Sequence, residues 1–422
     1  KPSRDLTYDA TLVLPDGWKY GTSLPVAHDA GNRITFKPIS FNLLVDSPVI
    51  SGQYFKVVDL TPPGEPIHHE LDLAADSEEA LAIPPAIVKG LTNVVAESGA
   101  LFGTRHYRDY HFILALSDHV AHFGLEHLES NDSRLPERVF LEPGAAFMVG
   151  SLLPHEFVHS WNGKFRRPAD LTTPDFEKPM ETYLLWGYEG LTDYLGPMLA
   201  ARSGLWTPEE YRNFLASIAA SLGPGRPGRT WRPLQDTATG EPMGGPGGGI
   251  RGWSNWRRGV DYYDEGDLMW LEAATIIHQV THGQKSIDDF CHLYHGGANN
   301  GPETKPWTFD ELVSDLNQVA PYDWAGFFHQ HLDSKSPEAP TGGIENGGWK
   351  LTWNAEPLKL PGRRGNTGDI YTVGLQLGGE GQVFDSIVGG PAYNAGIVSG
   401  MVGEKLIDKK TAIARVDPAA LD

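Results

Sequence analysis

The spacing of hydrophobic and polar positions divides the chain into a β-rich start, a helical middle and a β-rich end. Alternating or β-branched runs between turn signals predict strands at 6–14, 33–36 and 53–58. Beyond Ser77, apolar residues recur every three to four positions, which predicts a helix over 87–101. A short apolar run predicts one strand in this middle part, at 110–116. Three strands bury little surface, so the first part is interpreted as a portion of a larger sheet.

The same apolar period predicts further helices at 145–161, 181–202, 208–222, 265–282, 286–295, 309–318 and 323–333. The third of these has the clearest start, because Thr207 can cap it and Glu210 completes a capping box. Gly- and Pro-rich sequence predicts a long loop at 223–252 and a linker at 334–348. After the linker the pattern predicts strands again, at 349–353, 371–377 and 383–388.

Charge and cysteine content narrow the function classes. The chain has 422 residues, with 34 Lys and Arg against 54 Asp and Glu, which gives a net charge of −20. This charge argues against a protein that binds nucleic acid or an anionic membrane surface. The single cysteine, Cys291, excludes a disulfide within the chain and a Cys-rich metal site. No apolar run is long enough to predict a membrane span.

The candidate chemistry lies in an H-E-x-x-H motif that begins at His155 and ends at His159. On a helix the two histidines share one face and can bind one Zn²⁺, with Glu156 beside the water on the metal. A catalytic zinc needs a third protein ligand, and the candidate is Glu189, 30 positions after His159 on a second predicted helix. Asp193 follows Glu189 by four positions, and we expect it to orient a ligand histidine.

Other motifs are weaker. His278 and His282 have the same spacing, but no glutamate lies between them, and a helix end before Gly283 explains a histidine there. The glycines at 247–252 match the sequence pattern of a dinucleotide-binding motif. No strand is predicted before them, so we do not assign such a site. The chain has neither a serine hydrolase elbow nor a P-loop.

The residues around the motif resemble those of the M61 peptidases, the glycyl aminopeptidase family. The resemblance is carried by residues 155–164, His-Glu-Phe-Val-His-Ser-Trp-Asn-Gly-Lys, and by the Trp-x-x-Glu-Gly-x-Thr-x-Tyr run at 186–194. It extends over about 5–422. It implies a zinc peptidase in which one Zn²⁺ ion is bound by His155, His159 and Glu189.

Two further segments are similar to elements of M61 enzymes and of the related M1 aminopeptidases. Residues 123–130, Phe-Gly-Leu-Glu-His-Leu-Glu-Ser, resemble the segment that binds the substrate amine, which implies that Glu126 is the amine anchor. The run Tyr-Tyr-Asp-Glu-Gly, which begins at Tyr262, resembles the Tyr-x-Lys-Gly element, although Glu265 replaces the usual lysine. It implies that Tyr263 donates to the oxyanion, with Tyr262 as the competing tyrosine.

The pattern and the resemblance together predict an α+β multidomain fold in three parts. These are a partial N-terminal β domain at 1–66, a thermolysin-like (gluzincin), mostly helical zinc peptidase domain at 67–335, and an incomplete PDZ-like β-rich domain at 345–422. Family members carry a longer β domain before the equivalent of Lys1. We therefore interpret the chain as truncated or as one chain of a processed precursor, whose other part is a candidate partner. The missing leader and the PDZ-like part favour a periplasmic or secreted bacterial enzyme.

The predicted function is a zinc aminopeptidase that acts on peptides with a free N-terminus. Glu156 takes a proton from the attacking water and passes it to the leaving amine. The resemblance implies removal of N-terminal Gly or Ala. The alternative is a zinc endopeptidase that uses the PDZ-like part to recruit protein substrates. A third interpretation is a binding module without catalytic activity. The presence of Glu156 argues against it, because an inactive site would be free to lose this residue.

Overall fold

The computed structural model describes residues 5–175, 177–243, 252–299, 301–354, 358, 360, 367–378 and 381–402. Its strands are β1 (Thr7–Tyr8), β2 (Thr11–Val13), β3 (Lys19–Gly21), β4 (Val26–Asp29), β5 (Arg33–Phe36), β6 (Ile39–Ser40), β7 (Ile50–Gly52), β8 (Tyr54–Asp59), β9 (His69–Ala75), β10 (Tyr110–Leu116), β11 (Gly124–Glu126), β12 (Ser130–Leu135), β13 (Arg166–Pro168), β14 (Lys305–Trp307), β15 (Leu375–Leu377) and β16 (Val383–Ser386). Its helices are α1 (Phe41–Val45), α2 (Pro85–Phe102), α3 (Ala145–Val158), α4 (Leu185–Ser203), α5 (Pro208–Leu222), α6 (Leu234–Thr239), α7 (Ser254–Arg257), α8 (Asp264–Val280), α9 (Ile287–Tyr294), α10 (Phe309–Val319), α11 (Trp324–Leu332), α12 (Gly342–Asn346), α13 (Thr367–Thr372) and α14 (Pro391–Asn394). The mixed α+β architecture with a β-rich N-terminal region is confirmed. Among the described helices, none is both long and apolar enough to cross a bilayer.

A five-stranded sheet supports the helical part, in the order β11-β12-β10-β9-β8. Strands β9, β10 and β12 run parallel, whereas β8 and β11 are antiparallel edge strands. Helix α2 connects β9 to β10, which is the crossover that two parallel neighbours require. The boundary predicted at residue 66 falls inside this sheet, because β8 pairs with β9 across it.

Strongly patterned elements lie where the sequence predicts them. The strand at 110–116 and the helix at 208–222 have the predicted bounds. Thr207 accepts the backbone N–H of Glu210, and the Glu210 side chain accepts from the backbone of Thr207, so the capping box is present. The helix predicted over 145–161 is α3, and the one predicted over 181–202 is α4.

Some expectations were wrong. Strands β9 and β12 were missed because the first contains Glu70 and Asp72 and the second reads Ser-Asn-Asp-Ser-Arg-Leu, so neither shows an apolar run. The segment predicted as a loop at 223–252 contains α6. No strand forms over 349–353, where the exposed Trp349 and Trp353 contribute little burial. The strand predicted at 371–377 is reduced to β15, and α13 precedes it.

The C-terminal part is described only in pieces. Strands β15 and β16 pair antiparallel, and α14 follows them. Residues 403–422 lie outside the described residues, as do several positions between 355 and 380. The PDZ-like assignment stays a prediction, and the glycine pattern at 247–252 also lies largely outside the described residues.

The N-terminal region has its own small core and packs on the five-stranded sheet. Its core consists of Leu14, Leu24, Ile34, Phe36 and Ile39. At the contact, Asp72 of β9 lies so close to β3 that a Cβ on Gly21 would overlap it. Asp72 is 1% exposed, and its Oδ2 lies 2.7 Å from Nδ1 of His111 on the neighbouring strand β10. Glu70 lies on the other side of that nitrogen, at 3.2 Å.

These three side chains form a buried ion triad. Burial lowers the pKa of His111, but hydrogen bonds from its ring to Asp72 and Glu70 outweigh burial and raise the pKa to about 10. The hydrogen bond from His111 contributes most to the pKa of Glu70, which falls to about 2. The imidazolium therefore holds together two carboxylates beneath the N-terminal region.

His111→Gln should destabilise the protein by about 3 kcal/mol at pH 6, because the buried Asp72 and the half-buried Glu70 lose their cation. The folded pKa of His111 lies above the ordinary value of 6.5, so the stabilisation is complete below 6.5 and is lost as pH rises towards 10. Urea unfolding of both proteins from pH 6 to 10 measures the difference in free energy of unfolding. A difference that stays constant over this range would contradict the ion triad.

Candidate active site

Helix α3 carries the first part of the site. It is apolar on nearly all sides, as a buried helix must be, and it buries Phe147, Val149, Leu153 and Phe157. The motif occupies its last turn, and His159 is its C-terminal cap. The i, i+4 spacing places the two histidine rings together, with centroids 4.7 Å apart.

Helix α4 brings the third candidate ligand against this turn. A Cβ on Gly196 would lie 2.9 Å from the Cα of His155, so the close packing of α3 and α4 requires a glycine there. Glu189 and Asp193 lie one turn apart on the same helix and face the two histidines. The predicted His155, His159 and Glu189 therefore meet in the folded chain.

The ligand atoms of these residues form a nearly equilateral triangle. The two Nε2 atoms are 3.1 Å apart, and Oε2 of Glu189 lies 3.6 Å from Nε2 of His155 and 3.2 Å from Nε2 of His159. Tetrahedral ligands at zinc–nitrogen and zinc–oxygen distances near 2.1 Å are about 3.4 Å apart. Glu189 Oε2 is also buried without a hydrogen bond of good geometry from the described residues. The donor set and its size fit one tetrahedral cation.

The outer ring nitrogens fix both imidazoles. Nδ1 of His159 donates to the carbonyl oxygen of Asn162 at 2.9 Å, and Nδ1 of His155 lies 3.3 Å from Oδ1 of Asp193. A proton on each Nδ1 leaves each Nε2 with a lone pair that faces the triangle. The Asn162 side chain also donates to the carbonyl of Tyr188 at 2.8 Å, which connects the loop after α3 to α4. Sequence analysis did not assign Asn162, although it belongs to the conspicuous 155–164 run.

Glu156 lies beside the triangle in a tight space. Its side chain is 5% exposed, and burial raises its pKa to about 7 despite the nearby His155 and His159. A Cβ on Gly124, in edge strand β11, would overlap the carboxylate, so only glycine permits this approach. A carboxylate with a pKa near neutrality is suited to accept and return a proton. Gly124 is a second site residue that sequence analysis did not single out.

Glu126 also reaches the site from the end of β11. One oxygen of Glu126, one oxygen of Glu156 and a ring nitrogen of His159 all lie within 4.8 Å of one another. The Tyr188 hydroxyl donates to Oε1 of Glu126. Burial raises the pKa of Glu126, but the charges of His159 and Lys164 outweigh burial, so the net pKa is lowered and the carboxylate is ionised.

The two candidate tyrosines occupy different positions. The Tyr263 ring lies 6.2 Å from the ring of His155, and the Tyr262 ring is tilted against that of Tyr263 at a centroid distance of 4.9 Å. Burial raises the pKa of Tyr263 well above its usual value, so its hydroxyl keeps its proton. Helix α8 can bring Tyr263 this close because Gly190 of α4 faces Gly266 without an intervening side chain.

A second group, Glu70, Asp72 and His111, also has three potential ligand atoms within 4.8 Å of one another. Its His111–Asp72 separation of 2.7 Å is that of a charged hydrogen bond and is shorter than the spacing of two ligands on one zinc. This group is the ion triad described above.

Two models of known peptidase families match segments of this chain. The model of the M61 glycyl aminopeptidase family matches residues 149–269, and that of the peptidase M61 N-terminal domain matches residues 2–53. Together these segments cover less than half of the chain. The first contains both ligand-bearing helices, Glu156 and Tyr263. No curated protein matches the chain.

Solved structures of two peptidases are similar to this chain to different degrees. An aminopeptidase N family protein from Idiomarina loihiensis is 19% identical with a TM-score of 0.75, and the match covers 98% of this chain and 72% of that chain. An M1 zinc metallopeptidase from Deinococcus radiodurans is 17% identical with a TM-score of 0.47, over 80% of this chain and 67% of that chain. The first likeness establishes the fold alone. With the M61 match across the candidate ligands, it identifies the chain as a metallopeptidase, a hydrolase similar to the M61 glycyl aminopeptidases.

Proposed function

We propose that the protein is a zinc aminopeptidase that removes Gly or Ala from the free N-terminus of peptides. One Zn²⁺ is held by His155, His159 and Glu189, which is the gluzincin arrangement of two histidines from one helix and a glutamate from the next. The nearly tetrahedral spacing of their ligand atoms supports this assignment. When bound, zinc supplies a Lewis acid and lowers the pKa of a water molecule to near neutrality.

Glu156 is the general base and acid of the proposed reaction. It accepts the proton of the attacking water and returns it to the amine of the leaving peptide. Its burial and its raised pKa support this role, because the carboxylate can hold the proton transiently at neutral pH. Tyr263 keeps its phenolic proton and donates a hydrogen bond to the developing oxyanion.

The observation that carries the exopeptidase assignment is the position of Glu126. An ionised carboxylate within 4.8 Å of both Glu156 and His159 is a binding group for an ammonium adjacent to the scissile bond. Only the Cα of the N-terminal residue separates an α-amine from the carbonyl of the first peptide bond, so an amine bound beside the reacting groups leads to removal of one residue. The match to the glycyl aminopeptidase model supports a preference for Gly, and we extend the proposal to the similarly small Ala.

Glu156→Gln should lower kcat by about 10³-fold, because a glutamine cannot accept the proton. Zinc content should remain that of the unmodified protein, since Glu156 is not among the three ligands. Steady-state kinetics and elemental analysis of the same preparations test both statements. Retention of more than a tenth of kcat would remove Glu156 from its role.

Asp193→Asn should weaken zinc binding by about 10–100-fold, because His155 loses the carboxylate that orients its ring. The measurement is zinc retention during dialysis against graded chelator. Asp288→Asn is a matched control, since it removes an ion pair with Arg202 elsewhere on the surface. Equal zinc retention in both variants would contradict the orienting role.

The central test uses a glycine-initiated peptide, free and N-acetylated, with protein of known zinc content. We expect cleavage of the free peptide alone, one residue at a time. Glu126→Ala should lower kcat/KM for the free peptide by about 100-fold, since a charge-assisted hydrogen bond to the ammonium is lost. Cleavage of the acetylated peptide at a similar rate would instead identify an endopeptidase.

A further inference from the structure

The segment that carries Glu126 is held from outside the peptidase part of the chain. Glu126 ends the edge strand β11, and Leu128 follows two residues later. Asp46, which caps α1 in the N-terminal region, accepts the backbone N–H of Leu128 at 2.7 Å. Its other oxygen lies 3.3 Å from Nδ1 of His127. An aspartate from the N-terminal region thus fixes the chain directly after Glu126.

The same Asp46 also binds a cation from the loop that follows α3. Nζ of Lys164 donates to Oδ1 of Asp46 at 2.9 Å, and the side chains are only 16% and 17% exposed. Burial raises the pKa of Asp46, but Lys164 leads the charges and hydrogen bonds that outweigh burial and lower it to about 2. The backbone N–H of Lys164 donates to the carbonyl of His159 at 2.9 Å, and a ring nitrogen of His159 lies within 4.8 Å of an oxygen of Glu126. Lys164 therefore belongs to the same part of the site as Glu126, while its ammonium is bonded to Asp46.

The contacts of the two Glu126 oxygens show why the ion pair between Lys164 and Asp46 matters. Oε1 accepts the hydroxyl of Tyr188. Among the residues that the structure describes, Glu126 has no ion-pair partner within 4 Å, and a ring nitrogen of His159 lies within 4.8 Å of one of its oxygens. The remaining oxygen is the one that an ammonium can use. A lysine released from Asp46 would compete with the substrate for that oxygen, because both are primary ammonium groups.

We propose that Asp46 is a positioning residue of the amine site. By binding Lys164 it keeps this lysine off Glu126, and so it leaves Glu126 free to bind the α-ammonium of the substrate. This inference rests on the proposed function, in which Glu126 is the amine anchor. It gives the N-terminal region a part in substrate recognition that is separate from its packing.

The test is Asp46→Asn, which keeps an acceptor for the Leu128 N–H and removes the charge that holds Lys164. KM for a glycine-initiated peptide should rise about tenfold while kcat changes less than about twofold, because only binding of the ammonium is impaired. Asp288→Asn, which breaks a distant ion pair, should leave both constants unchanged. An unchanged KM in Asp46→Asn overturns the proposal.

The decisive variant combines Asp46→Asn with Lys164→Met, which removes the competitor. KM should return to within about twofold of the unmodified protein, since no lysine can then occupy the Glu126 oxygen. If Asp46 served only to hold the fold together, the second substitution would leave KM high or raise it further, and the proposal would fall. Should Asp46→Asn fail to fold, Lys164→Met alone decides, since a higher KM in that variant also overturns the proposal.

Failure of this inference is distinguishable from failure of the proposed function. If Glu126→Ala impairs free and acetylated peptides equally, the amine anchor itself is wrong. If Glu126→Ala impairs only the free peptide but Lys164→Met gives no rescue, the anchor stands and the role of Asp46 is wrong. Thermal unfolding of each variant shows whether the comparison is made between folded proteins.

Discussion

The site depends on two helix contacts in which no side chain separates the backbones. Gly196 lets α4 approach His155 of α3, and Gly190 against Gly266 lets α8 approach α4. A methyl group at either place would have to move a helix axis, since buried helices in a close-packed core have no other space to yield. The separations near 3.3 Å between the candidate ligand atoms exist only at this helix spacing. The chemistry is therefore specified as much by glycines as by the residues that would hold the metal.

A second constraint is the negative charge collected around this point. Glu126, Glu156 and Glu189 lie together where burial makes ionised carboxylates costly. The charge of His159 lowers the pKa of all three carboxylates against the effect of burial. A divalent cation in the triangle would add further positive charge at the same place, in keeping with the number of acids there.

Site residues that are close together in the sequence could be predicted from their spacing, whereas contacts between distant segments could not. His155 and His159 follow from local helical spacing, and Glu189 follows because a second helix carries it at a suitable distance. The partners of these residues come from elsewhere in the chain, and the contacts of Asn162 with His159 and Tyr188 could not be inferred from spacing. Strands β9 and β12 were not predicted from the sequence for a different reason. In β12 five polar residues precede Leu135, and in β9 the alternation of Leu71 and Leu73 with Glu70 and Asp72 is only four residues long, so neither pattern is distinctive.

The proposed role of Glu126 as the amine anchor gives the N-terminal β region a part in the site. Glu126 lies on an edge strand, and an edge strand is paired on one side only. Such a segment is held less firmly than the helices that carry the ligands, yet the α-amine must be fixed relative to the reacting carbonyl to within a fraction of an ångström. The hydrogen bond from the Leu128 N–H to Asp46 supports this segment from the N-terminal region. The other oxygen of the same carboxylate holds Lys164, so one residue both supports the chain after the proposed anchor and binds the lysine that would compete for it.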